Sequence, residues 1–141
     1  MFETSERFLL DTHVWVWLIE GSPRLNSAAV KELDHLQRSG RLYASVISAW
    51  EIGLLNSLGR LSLSVDVGAW LRASVEPDRI QLQPLALAAA VEANELPGDI
   101  HRDPADRIIV ATARVHGFML LTRDEILLDY AKQGHLRARR I

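Results

Sequence analysis

Apolar and polar positions along the chain alternate between two periods. Arg7-Phe8-Leu9-Leu10-Asp11 is a short apolar run ending in an acid, the pattern of a buried strand. Trp15, Leu18 and Ile19 then recur at helical spacing until Gly21-Ser22-Pro23 stops them. A second helix opens at Asn26 or Ser27, carries Val30, Leu33 and Leu36 as its apolar stripe, and ends at Gly40. Leu42-Tyr43-Ala44-Ser45-Val46 reads as a second strand. Ser48-Ala49-Trp50-Glu51 opens the next helix, with Leu54, Leu55 and Leu58 on its inner side and Trp50 in the core.

Beyond Gly59 the pattern weakens. Gly59 to Leu63 is a turn and a short extended piece, and Val67, Trp70 and Leu71 predict a short helix ending before Pro77. Ile80-Gln81-Leu82 alternates like a strand, and the alanine-rich stretch from Leu85 to Asn94 is helical. A polar loop through Pro97-Gly98-Asp99 leads to Asp103-Pro104-Ala105-Asp106-Arg107, a helix start with Asp103 as cap and Pro104 in the first turn. That helix runs to Gly117. Phe118 to Thr122 is another buried strand, Asp124 caps or begins a last helix from Ile126 to Gln133, and Leu136 to Ile141 is a final strand or a basic tail.

Strand and helix alternate throughout, so the expected fold class is α/β: a three-layer α/β/α sandwich around a parallel sheet of about five strands. At 141 residues one domain spanning 1–141 is expected. Composition adds a few exclusions. The chain has no cysteine, which rules out disulfides and thiolate metal sites and fits a cytoplasmic location. No run approaches membrane-spanning length, and the start, with Glu3 and Glu6, is not that of a signal peptide. A net charge of −2 makes no global case for nucleic-acid binding. Nearly all cations are arginines, only Lys31 and Lys132 being lysine.

The chemistry lies in where isolated carboxylates fall. Asp11 ends the first strand, Glu51 opens the helix after the second, Asp106 opens the helix before the fourth, and Asp124 follows the fourth. Each has an ordinary role as well: Asp11 and Asp124 can cap helices, Ser48 with Glu51 is a capping-box pattern, and Asp103 and Asp106 stabilise a helix start. In a parallel sheet, however, Asp11, Glu51 and Asp124 share the carboxyl edge, where ligands collect. Asp106 joins them if its preceding loop crosses that edge. Clustered carboxylates repel one another, and without cysteine or paired histidines the fitting counter-ion is a hard cation, Mg²⁺ or Mn²⁺. Such a site implies metal-assisted phosphoryl chemistry without naming a substrate.

Taken together, four stretches resemble the motifs of the PIN-domain family, and within it the VapC-type toxin ribonucleases of bacterial toxin–antitoxin pairs. They are Phe8-Leu9-Leu10-Asp11-Thr12-His13, Ser48-Ala49-Trp50-Glu51-Ile52, His101-Arg102-Asp103-Pro104-Ala105-Asp106-Arg107 with Ile108 to Ala113, and Leu121-Thr122-Arg123-Asp124. The resemblance covers almost the whole chain in order. It implies that Asp11, Glu51, Asp106 and Asp124 hold Mg²⁺ or Mn²⁺, that a metal-activated water hydrolyses RNA, and that Thr12 and Thr122 lie beside the site. It further implies a homodimer and a cognate antitoxin protein as partners. A lysine common after the glutamate in such proteins is replaced here by Gly53-Leu54-Leu55-Asn56, which takes away a positive contact near the substrate. The rival reading is a module of the same fold that binds RNA or a partner without cutting. A phospho-accepting receiver domain fits poorly, because Asp11 has no acidic neighbour and no lysine follows Lys132.

Secondary candidates remain. Asp103 is a cap or a ligand; Arg107 pairs with Asp103 four residues earlier or contacts phosphate. His101 and His13 have no partner at metal-ligand spacing and are expected in surface or hydrogen-bonded roles. Trp15 and Trp17 are read as core plus a partner-facing surface. Arg137, Arg139 and Arg140 form an RNA-contacting tail or a solvated terminus.

Overall fold

A computed structural model describes residues 5–100 and 103–141. Five strands, β1 (Phe8–Leu10), β2 (Leu42–Ser45), β3 (Gln81–Gln83), β4 (Met119–Thr122) and β5 (Ala138–Arg140), form one sheet in the order β3-β2-β1-β4-β5. All four pairings are parallel. The helices are α1 (Thr12–Glu20), α2 (Ser27–Arg38), α3 (Val46–Ser57), α4 (Val67–Ser74), α5 (Leu87–Glu92), α6 (Pro104–His116) and α7 (Glu125–Lys132). The expected sandwich and parallel sheet are therefore both present.

Alternation along the central strands divides the core into two. Leu10, Leu42, Ala44 and Leu121 face one layer with Val14, Trp15, Leu33, Ile52 and Trp70. Leu9 and Leu120 face the other, with Ile109, Val110, Phe118, Leu127 and Tyr130. Strands buried on both faces have no polar side to show, which is why β1 and β4 read as continuous apolar runs. The chain winds outward from β1 through β2 to β3, then returns to β4 and β5. The order thus reverses between β1 and β4, and a crevice opens at their carboxyl ends.

Several expected details differ. The third helix starts at Val46 with Ser45 as its cap, its side chain accepting from the Ile47 N–H at 3.1 Å, and not at Ser48. Ser48 is fully buried, so there is no Ser48–Glu51 capping box. Earlier entry turns the helix: Ile52 points into the core, while Trp50, Leu54 and Leu58 are exposed. Trp50 is 58% exposed and is not a core residue. Val30 also lies at the surface, and α2 packs through Ala29, Leu33 and Leu36 instead. The alanine-rich helix begins at Leu87, two residues later than its composition suggests.

At the far end, 138–140 is a strand and not a free tail. Its arginines are occupied: Arg137 pairs with Glu6, Arg140 with Glu125, and Arg139 grips Glu32 through two bonds of 3.2 and 2.7 Å. Of the two expected forms of this segment, the strand is the one present. No helix among the described residues is long and apolar enough to cross a membrane.

Candidate active site

The crevice between β1 and β4 is where the carboxylates gather. Asp11 leaves β1 in extended conformation and caps α1, Oδ1 accepting from the Thr12 N–H at 2.9 Å. Its second oxygen accepts from the Thr122 hydroxyl at 2.6 Å. Thr122 ends β4 and is itself fully buried; its Oγ1 accepts from the Asp124 N–H at 3.0 Å. One hydroxyl therefore ties the end of β1 to the start of α7. Asp124 caps α7, accepting from the N–H groups of Ile126 and Leu127 at 2.8 and 3.4 Å.

The second half comes from α3 and α6, which pack against each other. Asp103 caps α6, Oδ1 accepting from the Asp106 N–H at 3.1 Å. One carboxylate oxygen each from Glu51, Asp103 and Asp106 lie within 4.8 Å of one another. Asp103 is therefore both cap and member of the cluster, so neither expected role excludes the other. Thr12, buried below, bonds through its hydroxyl to Ser48 Oγ at 2.8 Å and also reaches the Glu51 carboxylate. Ser48 was masked at the sequence level by its resemblance to a helix cap. Its burial becomes visible only once the helix phase is known.

Electrostatics join the two halves. Burial, then the charges of Asp11, Asp103, Glu51 and Asp124 in falling order, push the Asp106 carboxyl up to about 8. Burial raises Asp11 above the usual carboxylate range against the opposing bond from Thr122. Glu51 is raised by burial too, opposed by the Thr12 hydroxyl and assisted by Asp103 and Asp11. All four expected acids thus meet in one field, with Asp103 as a fifth. A group of this kind, built of carboxylate oxygen donors that raise one another's pKa, fits a hard divalent cation.

Other candidates are placed differently. Arg107 turns from the acids: its Nε donates to the Ala93 carbonyl at 3.0 Å and its Nη1 to that of Ile100 at 3.5 Å, which secures the loop into α6. The expected Arg107–Asp103 pair is replaced by these bonds. His13 is exposed beside Trp17, and both line a cleft of about 240 Å³ with Asp11, Val14, Arg123 and Asp124. His101 lies outside the described residues.

Comparison with known proteins agrees with this geometry. Residues 8–133 match the model of the PIN domain. The chain is 37% identical over 123 residues to Ribonuclease VapC22 of Mycobacterium tuberculosis, covering 86% of this chain and 90% of that one. Among solved structures, VapBC2 of Rickettsia felis bound to a promoter DNA fragment superposes with a TM-score of 0.68 at 16% identity, covering 94% of this chain and 97% of that one. FitAcB of Neisseria gonorrhoeae superposes at 0.61 and 24% identity, covering 93% and 95%. With its motif acids gathered at the switch point of a parallel sheet and its length matched nearly end to end, this chain belongs to the PIN-domain family.

Proposed function

We propose that this protein is a metal-dependent endoribonuclease and the toxin of a toxin–antitoxin pair, a single domain acting on cytoplasmic RNA. The observation that carries the reading is the convergence of Asp11, Glu51, Asp103, Asp106 and Asp124 on one crevice. Kinship with a VapC ribonuclease supplies the substrate class. When bound, Mg²⁺ or Mn²⁺ supplies Lewis-acid polarisation of the phosphodiester and lowers the pKa of water.

The chain's own residues do the rest. Asp11, Glu51, Asp106 and Asp124 would hold the cation, and Asp103, whose carboxylate lies within 4.8 Å of those of Glu51 and Asp106, would be a further ligand. Thr122 fixes Asp11 against Asp124, and Thr12 with Ser48 supports Glu51, so the acids are set before substrate arrives. Burial and the neighbouring acids favour the protonated form of Asp106 at neutral pH, and a bound cation would favour the ionised form. Water adds to phosphorus in line, the P–O3′ bond breaks, and the products are a 5′-phosphate and a 3′-hydroxyl.

The partners follow from the same reading: an antitoxin protein, and a second copy of the chain. An exposed apolar row on α3 at four-residue spacing, Val46, Trp50, Leu54 and Leu58, supports coverage by protein. The test is incubation of partner-free protein with cellular RNA in Mg²⁺, Mn²⁺ or EDTA, beside D106N. Fragments that need metal and vanish in D106N are expected. Intact RNA in every tube, with no Mn²⁺ binding by calorimetry, overturns the reading.

A further inference from the structure

The cleft beside Asp11 and Asp124 has a second wall that the acids do not explain. Trp17, half-buried on α1, forms it with His13, whose ring stands 6.2 Å from the indole at a tilt of 43°. The Arg123 guanidinium lies 5.4 Å from the same ring, and that of Arg24 lies 5.6 Å from it. Arg123 occupies the turn between β4 and Asp124 and lines the cleft itself. Its Nε donates to the Ile141 backbone oxygen at 2.6 Å, which holds the side chain in place.

Arg123 differs from five other arginines in its partners, and it lies at the crevice. Arg38, Arg114, Arg137, Arg139 and Arg140 all spend their charge on carboxylates. Arg123 ion-pairs with no aspartate or glutamate side chain among the described residues, although it stands next to Asp124. It also supplies a cation at the crevice where the segment after Glu51, Ile52 to Leu58, brings none. An aromatic face, a planar cation and about 240 Å³ of space, next to the acids Asp11 and Asp124, suit one unstacked base with its phosphate.

We propose that Trp17 and Arg123 form a nucleotide pocket for single-stranded RNA, the indole stacking on one base and the guanidinium taking the adjoining phosphate, so that the next phosphodiester lies over the carboxylates. The pocket rests on the ribonuclease reading and deepens it, since it sets which strand geometry reaches the acids. Both side chains are positioning residues; neither touches the bond that breaks.

The test uses a short fluorescein-labelled single-stranded RNA of mixed sequence, and its duplex, with full-length D106N in Mg²⁺ so that nothing is cut. Anisotropy is read for D106N and with W17L, W17F or R123Q added, each variant checked by thermal melting. W17L should weaken single-strand binding roughly tenfold and W17F by little, because phenylalanine keeps a face for stacking. R123Q should reduce the salt dependence by about one phosphate contact. Duplex should bind poorly to all.

If wild type cuts RNA and D106N binds it while W17L binds equally well, the pocket is wrong and the ribonuclease stands. If W17L and W17F lose binding alike with lowered melting, Trp17 only packs, and the proposal fails. If W17L releases a protein partner and leaves RNA binding intact, the face belongs to that partner and the proposal fails. Absence of both cutting and RNA binding in the parent proteins removes the ribonuclease reading and the pocket together.

Discussion

The Thr122 hydroxyl and the Asp11 carboxylate meet at 2.6 Å, and the same hydroxyl accepts from the Asp124 amide at 3.0 Å. Two strands that are neighbours in space but 111 positions apart in sequence are thereby locked at the reacting end. T122V keeps the shape and removes both bonds. It leaves a buried carboxylate oxygen and a half-buried N–H without this partner, a loss of about 1–3 kcal/mol. Denaturant titration should show that loss and RNA cleavage should fall sharply. T122S, which keeps the hydroxyl, should restore most of both. Equal behaviour of the two variants would mean that the hydroxyl orients nothing.

D106N replaces a carboxyl that must take up a proton to sit in the metal-free cluster at neutral pH. The metal-free protein should gain stability at neutral pH, because a neutral amide replaces a carboxyl that burial and four neighbouring acids disfavour as an anion. Mn²⁺ affinity should drop and cleavage should disappear. Melting in EDTA with calorimetric Mn²⁺ titration reads both effects. A D106N protein less stable than wild type in EDTA would show that repulsion is not what Asp106 contributes.

The pH dependence has a definite sign. The folded-state value of Asp106 lies above its ordinary value of 3.8, at about 8, so the folded form binds more protons between these limits. Without metal, the contribution of Asp106 to stability is greatest below the ordinary carboxylate value, declines as pH rises towards about 8, and levels beyond it, which the difference between wild type and D106N isolates. Asp11 and Glu51, also raised, add to the slope in the same direction. Urea titrations across this range in EDTA should show the decline, and D106N should flatten it. Saturating Mn²⁺ should flatten it too, since a bound cation favours the ionised acids. A stability that rises with pH in EDTA would contradict the crowding.

The layered α/β order was legible because β1 and β4 are buried on both faces and therefore apolar throughout, and because Gly21, Gly40 and Gly117 close their elements in order. The motif acids were legible for a related reason: each sits where a strand ends or a helix begins. Helix phase was not. Moving the start of α3 from Ser48 back to Val46 shows Trp50 to solvent and buries Ser48, and the three-residue spacing to Glu51 that suggested a capping box is a coincidence of composition. The partners of long cations were not legible either. Arg107 had an acid at helical spacing, yet tertiary packing offered the Ala93 carbonyl. Arg123 had no sequence signal at all, because Trp17 reaches it only through the β1–β4 pairing.

A control lies away from the crevice. Glu20, at the end of α1, accepts from the Trp70 indole N–H at 3.1 Å and from the Ser64 amide and hydroxyl at 3.0 and 2.9 Å. E20A should cost about 1–3 kcal/mol in denaturant titration by leaving these donors without the carboxylate. Cleavage per folded molecule should not change. A selective loss of activity would tie the segment around Ser64 to substrate.

Asp11, Asp103 and Asp124 are also the N-caps of α1, α6 and α7. Three helices therefore aim their positive ends at the place where negative charge is concentrated. Folding and site assembly are one event, and the backbone already offsets part of the repulsion before any ion arrives. Asparagine caps a helix as well as aspartate does. On the proposed reading, a single amide for a carboxylate at Asp11 or Asp124 should therefore remove activity and leave the shape intact. Such a protein would be a decoy, occupying whatever binds its active sister while doing no chemistry.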